Sequence, residues 1–264
     1  MIRLICIDVD GTLVGTSGSV LPAVWDATAR AREQGIRLAI CSGRPAFGFT
    51  RTLAERLDPT GWHVFQNGAS VVKLPSGETR SRAMPADALD WLVAEGRRRG
   101  RILELYTDME YGVELDTERS RRHAGLLGVP FSLRDLATMR GPIVRAQWLV
   151  PIEEIDAILE EPRPAVLYSP STAPLMPDTG FINITPAGID KASAVRQVAR
   201  EYGLGLDEVM MVGDGANDVT TMQAVGVAVA MANAEPEARA VAHHEVGHVD
   251  KGGLLEALSL ALSL

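Results

Sequence analysis

The sequence predicts an α/β protein in which a doubly wound parallel sheet of the Rossmann-like type is interrupted by an inserted α+β domain. Short apolar runs alternate with helical patterns at both ends of the 264-residue chain, as they do in parallel sheets. Between about residues 84 and 185 this alternation gives way to several strands punctuated by prolines. We therefore predict one domain built from residues 1–83 and 186–264, and a second domain inserted over residues 84–185.

The first part of the chain supplies the start of the sheet. The apolar run from Leu4 to Ile7 is typical of a buried strand, and Gly11 allows a sharp turn just after it. The segments that follow are predicted, in order, as a helix over 22–34, a strand over 36–41, a helix from Pro45 to about 57 and a short strand over 64–69. Within the last segment, Asn67 and Gly68 form an Asn-Gly pair, which favours a turn.

The predicted insert is rich in strands. Its elements are predicted, in order, as a helix over 86–99, a hairpin over 102–106 and 111–115, a helix over 117–127, a strand over 143–150, a helix over 152–159 and strands over 165–168 and 181–184. The strand over 143–150 is predicted because apolar and polar side chains alternate there. We expect the helices to lie on one side of the sheet, as in α+β folds.

The last part of the chain returns to the pattern of the first. Its elements are predicted, in order, as a helix over 191–202, a strand over 209–212, a short helix over 216–224, a strand over 227–230 and a final helix from 252 onward. We expect these elements to belong to the same parallel sheet as the first part of the chain.

Composition argues against several classes of function. The formal net charge of −8 is unsuited to a nucleic-acid partner, because affinity for a phosphate backbone comes from clustered Lys and Arg. No stretch has the eighteen or so consecutive apolar residues of a membrane span, and the N-terminus lacks a signal-peptide pattern. We therefore expect a soluble, cytoplasmic protein with no membrane partner. Cys6 and Cys41 lie in apolar runs and are expected to be buried thiols.

Two groups of carboxylates follow predicted buried strands. Asp8 and Asp10 come after the first strand, and Asp214 and Asp218 come after a later one. Parallel strands place their carboxyl ends at one edge of the sheet, so these side chains are expected to converge. Converging carboxylates repel one another unless a cation lies between them, and all-oxygen ligation is typical of Mg²⁺. A calcium-binding EF-hand is excluded, because the residues after Gly11 lack the oxygen ligands at the spacing that such a loop requires.

Ser42 and Gly43 lie where a predicted strand meets a predicted helix. Backbone N–H groups and the helix dipole at such a junction favour a bound anion, for example a phosphate group. Considered alone, Ser42 is equally well explained as a turn or cap residue.

Residues 244–248 match the His-Glu-x-x-His pattern of zinc proteases. That chemistry requires a continuous helix, which places both imidazoles on one face. Gly247 weakens a helix, and the segment is predicted as a short strand with little chain after it for a third ligand. We therefore predict no zinc site here.

The motifs together resemble those of the haloacid dehalogenase superfamily of phosphotransferases. The resemblance lies in residues 8–13, in Ser42, Gly43 and Arg44, in Lys191 and in residues 213–218, which occur in the order and rough spacing of the four superfamily motifs. The insert is similar in placement and size to the α/β cap of the Cof-like, type IIB branch. Residues 230–234 also resemble a late loop of that branch, with Ala232 where glycine is common.

The resemblance implies roles for individual residues. Asp8 would attack phosphorus to form an aspartyl-phosphate, and Asp10 would serve as general acid and then as general base. The residues implied in phosphate binding are Ser42, Gly43, Lys191 and Asn217. The groups implied in Mg²⁺ binding are Asp8, the backbone carbonyl of Asp10, Asp214 and Asp218, the last as a ligand or a supporting residue. Arg44 and Asn67 are candidates for substrate contact.

The function expected from this resemblance is a magnesium-dependent phosphatase acting on small phosphate monoesters, such as sugar phosphates or similar metabolites. A phosphomutase with the same cap type is an alternative, and it would need a second phosphate site in the cap. A non-catalytic phosphate-binding regulatory protein is a further alternative, which loss of Asp8, Asp10 or Lys191 would favour, whereas the chain has all three. Neither the particular substrate nor the oligomeric state follows from the sequence.

Overall fold

The structure is a computed structural model that describes residues 1–139, 141–173 and 175–264. The chain forms two compact units. The first unit consists of Met1–Arg44, Thr50–Arg80 and Asp190–Leu264, and the second consists of Pro45–Phe49 and Ser81–Ile189. The short segment Pro45–Phe49 joins the second unit although it lies far from the rest of that unit in sequence, and nothing in the sequence had indicated this.

The strands and helices are numbered in chain order. The strands are β1 (Leu4–Ile7), β2 (Arg37–Ile40), β3 (Trp62–Phe65), β4 (Ser70–Lys73), β5 (Ile102–Tyr106), β6 (Tyr111–Val113), β7 (Arg145–Pro151), β8 (Val166–Ala173), β9 (Met176–Pro186), β10 (Val209–Gly213), β11 (Val227–Met231) and β12 (His244–Val246). The helices are α1 (Pro22–Glu33), α2 (Phe49–Leu57), α3 (Ala86–Arg99), α4 (Glu118–Leu127), α5 (Ile155–Leu159), α6 (Lys191–Glu201), α7 (Val219–Ala224), α8 (Pro236–Val241) and α9 (Gly253–Ser263).

The first unit is built on a parallel sheet with the strand order β12-β11-β10-β1-β2. All four residues of β1 are fully buried, as expected for a central strand covered on both faces. Ile7 pairs with Val212 on one side and with Ile40 on the other. The register therefore brings the loops that follow β1, β10 and β2 to the same edge, and the predicted doubly wound α/β class is confirmed.

A two-stranded antiparallel hairpin, β3 with β4, extends the first unit. The predicted Asn-Gly turn is present, because residues 66–69 connect Phe65 to its partner Ser70. A parallel bridge between Cys41 and Val64 ties the hairpin to the end of β2. Cys6 and Cys41 are buried free thiols, as predicted, and burial raises the pKa of Cys6 to about 12.

The second unit contains an antiparallel sheet with the order β6-β5-β7-β9-β8. The expectation that helices lie on one side of this sheet is wrong. Helices α3 and α5 pack with Leu103 and Leu105 of β5, whereas α4 packs with Ile102 and Tyr106, which point to the opposite face. Coverage of both faces also explains why β7 is buried along almost its whole length despite its alternating sequence.

Some predicted boundaries differ from the observed ones. Helix α2 begins at Phe49 rather than at Pro45, because Gly48 has φ +64°, which a right-handed helix does not allow. Strand β9 starts five residues before its predicted start at 181, and α8 was not predicted at all. Among the described residues, the helices are too short or too polar to cross a membrane.

Candidate active site

The site lies in the first unit, at the edge where the parallel strands end. Asp8 follows β1 directly, and its backbone N–H donates to the carbonyl of Val212 at 3.0 Å. Asp214 and Asp218 lie in the loop after β10. One carboxylate oxygen from each of the three residues lies within 4.8 Å of the other two. The structure thus brings together carboxylates that are more than 200 positions apart in the chain.

Lys191 lies between two of these carboxylates. Its Nζ donates to Asp8 Oδ1 at 2.7 Å and to Asp218 Oδ1 at 2.6 Å, and the side chain is fully buried. Burial acts to lower the pKa of Lys191, but the charges of Asp218 and Asp8 outweigh it, so the pKa lies above its usual value. Lys191 therefore remains cationic at neutral pH and fixes the position of both carboxylates.

The backbone around Lys191 is held by a helix cap. Lys191 is the first residue of α6, and Asp190 is its N-cap, with Asp190 Oδ1 accepting from the N–H of Ser193 at 2.8 Å. The Ser193 side chain bonds the N–H of Asp190 in return at 3.1 Å, which completes a capping box. Asp190 therefore anchors the start of the helix that carries the lysine.

Asp218 supports the acidic loop in addition to pairing with Lys191. Its Oδ2 accepts from the backbone N–H groups of Asp214 and Gly215, both at 3.1 Å. A Cβ at Gly213 would lie 2.4 Å from the same oxygen, so the loop requires glycine there. Asp218 is completely buried, and its hydrogen bonds define the shape of the loop that presents Asp214.

Asp214 is held on both of its carboxylate oxygens. Thr12 Oγ1 donates to Oδ1 at 2.7 Å, and Asn233 Nδ2 lies 3.4 Å from Oδ2. The loop after β1 passes so close that a Cβ at Gly11, where φ is +82°, would lie 2.1 Å from Oδ2. Burial raises the pKa of Asp214 to about 6; the Thr12 hydrogen bond opposes the shift and the charge of Asp218 adds to it.

Burial is also the main cause that raises the pKa of Asp8 well above its ordinary value. The charge of Lys191 opposes that shift, whereas the charges of Asp218 and Asp214 add to it. Three carboxylates and one ammonium group leave two negative charges uncompensated when all are ionised. The cluster therefore has the charge balance of a site for a divalent cation.

The donor set fits Mg²⁺. Carboxylate oxygens are the ligands that Mg²⁺ prefers, and at Mg–O distances of about 2.1 Å two ligand oxygens are at most ~4 Å apart. Oxygen atoms of Asp8, Asp214 and Asp218 lie within 4.8 Å of one another, which is close to that limit. The described residues therefore contain a carboxylate cluster that is consistent with binding of a divalent metal ion.

The Asp10 carboxylate is held by Arg44. Arg44 donates to both of its oxygens, from Nε to Oδ2 at 2.7 Å and from the guanidinium to Oδ1 at 2.6 Å. The Asp10 side chain is about half exposed. The metal ligand expected from Asp10 is its backbone carbonyl. Pairing of the Asp10 carboxylate with Arg44 is compatible with that expectation.

The remaining predicted site residues in this unit are Ser42, Gly43, Asn67 and Asn217. Ser42 is buried, and its Oγ accepts from the N–H of Arg44 at 3.1 Å, so it has the turn geometry that the sequence left open. Helix α2 begins at Phe49, so the helix N-terminus expected directly after Ser42 and Gly43 lies four residues further along the chain. Asn217 Nδ2 donates to Asn67 Oδ1 at 3.1 Å.

Asn67 adopts an unusual backbone conformation. Its φ is +54°, in the left-handed region, and the preceding Gln66 has φ +53°. Non-glycine residues in this region cost free energy and concentrate at functional sites. The turn places the Asn67 side chain against both Asn217 and Gly43, where an added Cβ would lie 3.1 Å from Asn67 Oδ1.

Sequence reasoning did not identify Thr12 or Asn233. Both contact Asp214, and both belong to segments that carried the family resemblance, residues 8–13 and 230–234. The only signal was therefore their place inside those segments. The prediction that the segment with the zinc-protease pattern forms a short strand rather than a helix is confirmed, since His244 lies in β12.

Comparison with known proteins identifies the family. A family model described as haloacid dehalogenase-like hydrolase matches residues 5–125 and 152–258, which is most of the chain. The chain therefore belongs to the haloacid dehalogenase-like hydrolase family. The resemblance that the sequence motifs carried is confirmed.

Individual relatives agree with this assignment. YxeH of Bacillus subtilis (strain 168), which carries a provisional phosphatase name, is 27% identical over 271 residues, covering 98% of this chain and 97% of that protein. The structure of BT1666 from Bacteroides thetaiotaomicron, described among phosphatases of the same superfamily, has a TM-score of 0.83 at 26% identity and covers 100% and 96% of the two chains. These relatives support the phosphatase activity expected from the sequence.

A third protein shares the fold of the whole chain. BT4131, described as a subclass IIB sugar phosphatase, has a TM-score of 0.82 at 20% identity and covers 99% of this chain and 100% of its own. The two chains are therefore alike in fold over nearly their whole length.

Proposed function

We propose that the protein is a magnesium-dependent phosphatase that hydrolyses small phosphate monoesters through an aspartyl-phosphate on Asp8. The observation that carries this proposal is the position of Asp8, hydrogen-bonded to the buried Lys191 and close to Asp214 and Asp218. A carboxylate held in this way is oriented for attack on phosphorus, and its neighbours can balance the charge of a phosphoryl group.

In the first step, a carboxylate oxygen of Asp8 forms a bond to phosphorus while the bond from phosphorus to the ester oxygen breaks. The leaving alkoxide takes a proton from Asp10, which acts as general acid. The products of this step are the free alcohol, the aspartyl-phosphate and an ionised Asp10. The Arg44 guanidinium, which contacts both oxygens of the Asp10 carboxylate in the structure, would stabilise and orient the ionised Asp10 that this step produces.

In the second step, water attacks the phosphorus of the aspartyl-phosphate. Asp10 accepts a proton from that water as general base, and the bond between phosphorus and the Asp8 oxygen breaks. Inorganic phosphate leaves, and both carboxyl groups return to their starting states. The same side chain therefore donates a proton in one step and accepts one in the next.

The phosphoryl oxygens would be bound by Lys191, the Ser42 hydroxyl, the Gly43 backbone and Asn217. Lys191 supplies a fixed positive charge, because its ammonium is held by hydrogen bonds to Asp8 and Asp218. The Ser42 hydroxyl accepts one backbone hydrogen bond, which leaves its own proton to be donated. Asn67, through its contact with Asn217, would orient that amide toward the substrate.

Asp8, Asp214 and the Asp10 carbonyl would hold Mg²⁺, with Asp218 as a further ligand or a support. When bound, Mg²⁺ would offset negative charge on the phosphoryl group. The net excess of negative charge in the cluster supports a divalent ion at this place.

Small phosphorylated metabolites, sugar phosphates in particular, are the proposed substrate class. Support comes from the likeness in fold to a protein described as a sugar phosphatase. The test is release of inorganic phosphate from a panel of sugar phosphates, other metabolite monoesters and a nucleotide control, in the presence of Mg²⁺. The proposal predicts turnover of at least one small monoester by the wild-type protein and none by Asp8→Asn. Equal release by both proteins would contradict it.

A further inference from the structure

Asn233 connects several loops at the carboxyl edge of the sheet. It follows β11, and its side chain contacts the loops after β1, β10 and β12. Its Nδ2 donates to the carbonyl of Gly11 at 2.8 Å and lies 3.4 Å from Asp214 Oδ2, while its Oδ1 accepts from the N–H of Val249 at 3.0 Å. The partners Gly11 and Val249 are more than 200 positions apart in the chain, so one amide joins segments that are distant in sequence.

The orientation of this amide follows from its partners. The backbone N–H of Val249 can only donate, so the Asn233 oxygen must face it. The Asn233 NH₂ group then faces the Gly11 carbonyl and the Asp214 carboxylate, both of which can only accept when Asp214 is ionised. Each donor therefore faces an acceptor. If the amide were rotated by 180°, its NH₂ group would face the N–H of Val249, and its oxygen would face the Gly11 carbonyl and the Asp214 carboxylate.

Asn233 and Thr12 act on the two oxygens of the same carboxylate. Thr12 fixes Oδ1 at 2.7 Å, and Asn233 limits the position of Oδ2. Because the 3.4 Å contact is long, the stronger effect of Asn233 is on Gly11, whose loop lies directly against Asp214. Asn233 thereby sets the spacing between the loop that follows Asp8 and the loop that carries Asp214.

We propose that Asn233 is a positioning residue for the divalent-cation site, acting through Asp214 and the Gly11 loop without contacting the cation. This inference rests on the proposed function, since it requires that Asp8 and Asp214 bind a metal ion. Residues that orient metal ligands through hydrogen bonds affect metal affinity by roughly 10- to 100-fold. Loss of the Asn233 amide should therefore weaken metal binding more than it slows the chemical step.

The test uses the full-length wild-type protein, Asn233→Ala and Asn233→Leu, the last of which keeps a side chain of similar size. Mg²⁺ binding is measured by isothermal titration calorimetry on metal-free protein, and activity is measured as a function of Mg²⁺ concentration. Both variants should bind Mg²⁺ roughly 10- to 100-fold more weakly. Their kcat at saturating Mg²⁺ should stay within a few-fold of the wild-type value, as expected for a defect in binding.

Asn183→Ala is the matched control. Asn183 is also a buried amide with several partners, since it accepts from Arg145 and donates to Ser169 and Ser171. It lies in the second unit. Its replacement should leave the Kd for Mg²⁺ unchanged. Unchanged Mg²⁺ affinity in both Asn233 variants would overturn the inference, as would a loss of kcat that Mg²⁺ cannot restore. If the wild-type protein itself binds no Mg²⁺, the metal-dependent function fails together with the inference, and that outcome is distinct from the others.

Discussion

Arg44 and Asp10 form a bidentate ion pair at the edge of the active site. Two parallel N–H groups of the guanidinium reach the two carboxylate oxygens at 2.7 and 2.6 Å. An arginine can fix a carboxylate in this planar geometry, whereas a lysine ammonium acts as a point charge. Arg44 is a candidate for substrate contact from the sequence, and the structure adds that it is a hydrogen-bonded partner of the proposed acid–base residue.

Arg44→Lys should therefore impair proton donation more than substrate binding. General acid catalysis contributes roughly 10²- to 10⁴-fold, and it matters most when the leaving group is a poor one. We expect kcat to fall by roughly ten-fold or more for an alkyl phosphate, but by less than about three-fold for p-nitrophenyl phosphate, whose leaving group needs no proton. The measurement is kcat and KM for both substrates.

Arg51→Lys is the control for this experiment. Arg51 forms a surface ion pair with Glu55 on α2 at 2.9 Å, so it tests the loss of a guanidinium at a place remote from the chemistry. Arg51→Lys should leave kcat and KM unchanged for both substrates. If Arg44→Lys instead raises KM equally for both substrates with kcat preserved, Arg44 binds substrate rather than positioning Asp10.

Metal removal tests the interpretation of the carboxylate cluster. Activity should disappear on exhaustive treatment with EDTA and return with Mg²⁺, because the cluster of Asp8, Asp214 and Asp218 otherwise carries uncompensated negative charge. Zn²⁺ should restore activity poorly, since it favours nitrogen and sulfur ligands and a tetrahedral arrangement. Full activity in the chelated protein would show that the cluster is not a functional metal site.

His63 provides a prediction for the dependence of stability on pH. It is completely buried in β3, where Nδ1 accepts from the N–H of Ile40 at 3.1 Å and Nε2 lies 2.9 Å from the carbonyl of Asp58. Burial lowers the pKa of His63 from 6.5 to about 4; the hydrogen bond to the Asp58 backbone and the Asp58 charge oppose this shift, and the Arg51 charge adds to it. His63 is therefore neutral in the folded protein at pH 5, whereas in the unfolded chain it is protonated.

Between pH 6.5 and about 4, the unfolded chain thus binds one more proton at His63 than the folded protein does. The contribution of His63 to the free energy of unfolding is complete above pH 6.5 and is lost as the pH falls, by about 3 kcal/mol in total. Histidine NMR signals recorded from pH 7.5 to 5 should show no titration of His63. A midpoint near 6.5 for His63 in the folded protein would contradict the prediction.

Much of the site could be predicted because it depends on a simple property of parallel sheets. Asp8 and Asp214 both follow buried apolar strands, and strands of one parallel sheet end at one edge, so their meeting follows from the pattern. The contact of Asn233 with Gly11 could not be predicted, because it depends on the side-chain packing of segments distant in sequence. The same holds for the Arg44 pair with Asp10, whose geometry is set by the loop after β2.

The start of α2 shows a different limit. Pro45 has the local preference of a first helical residue, and the sequence therefore predicted a helix from that point. The segment Pro45–Phe49 instead belongs to the second unit, where Phe47 packs with the apolar side chains around Tyr106 and Ala124. Tertiary packing has overridden a local preference, which is the usual reason that element boundaries are misplaced.

The central claim is that Asp8 carries the phosphoryl group during turnover. The most direct test is rapid acid quenching of the wild-type enzyme with substrate, followed by borohydride reduction, which converts an aspartyl-phosphate to homoserine, and by peptide mass spectrometry. Asp26→Asn, which removes an exposed carboxylate on α1, is the activity control. We predict that homoserine appears at position 8 of the wild-type protein, and only when substrate is present. Asp8→Asn should show neither turnover nor this modification. Homoserine at another aspartate, or an Asp8→Asn protein that keeps more than roughly a hundredth of the activity, would contradict covalent catalysis at Asp8.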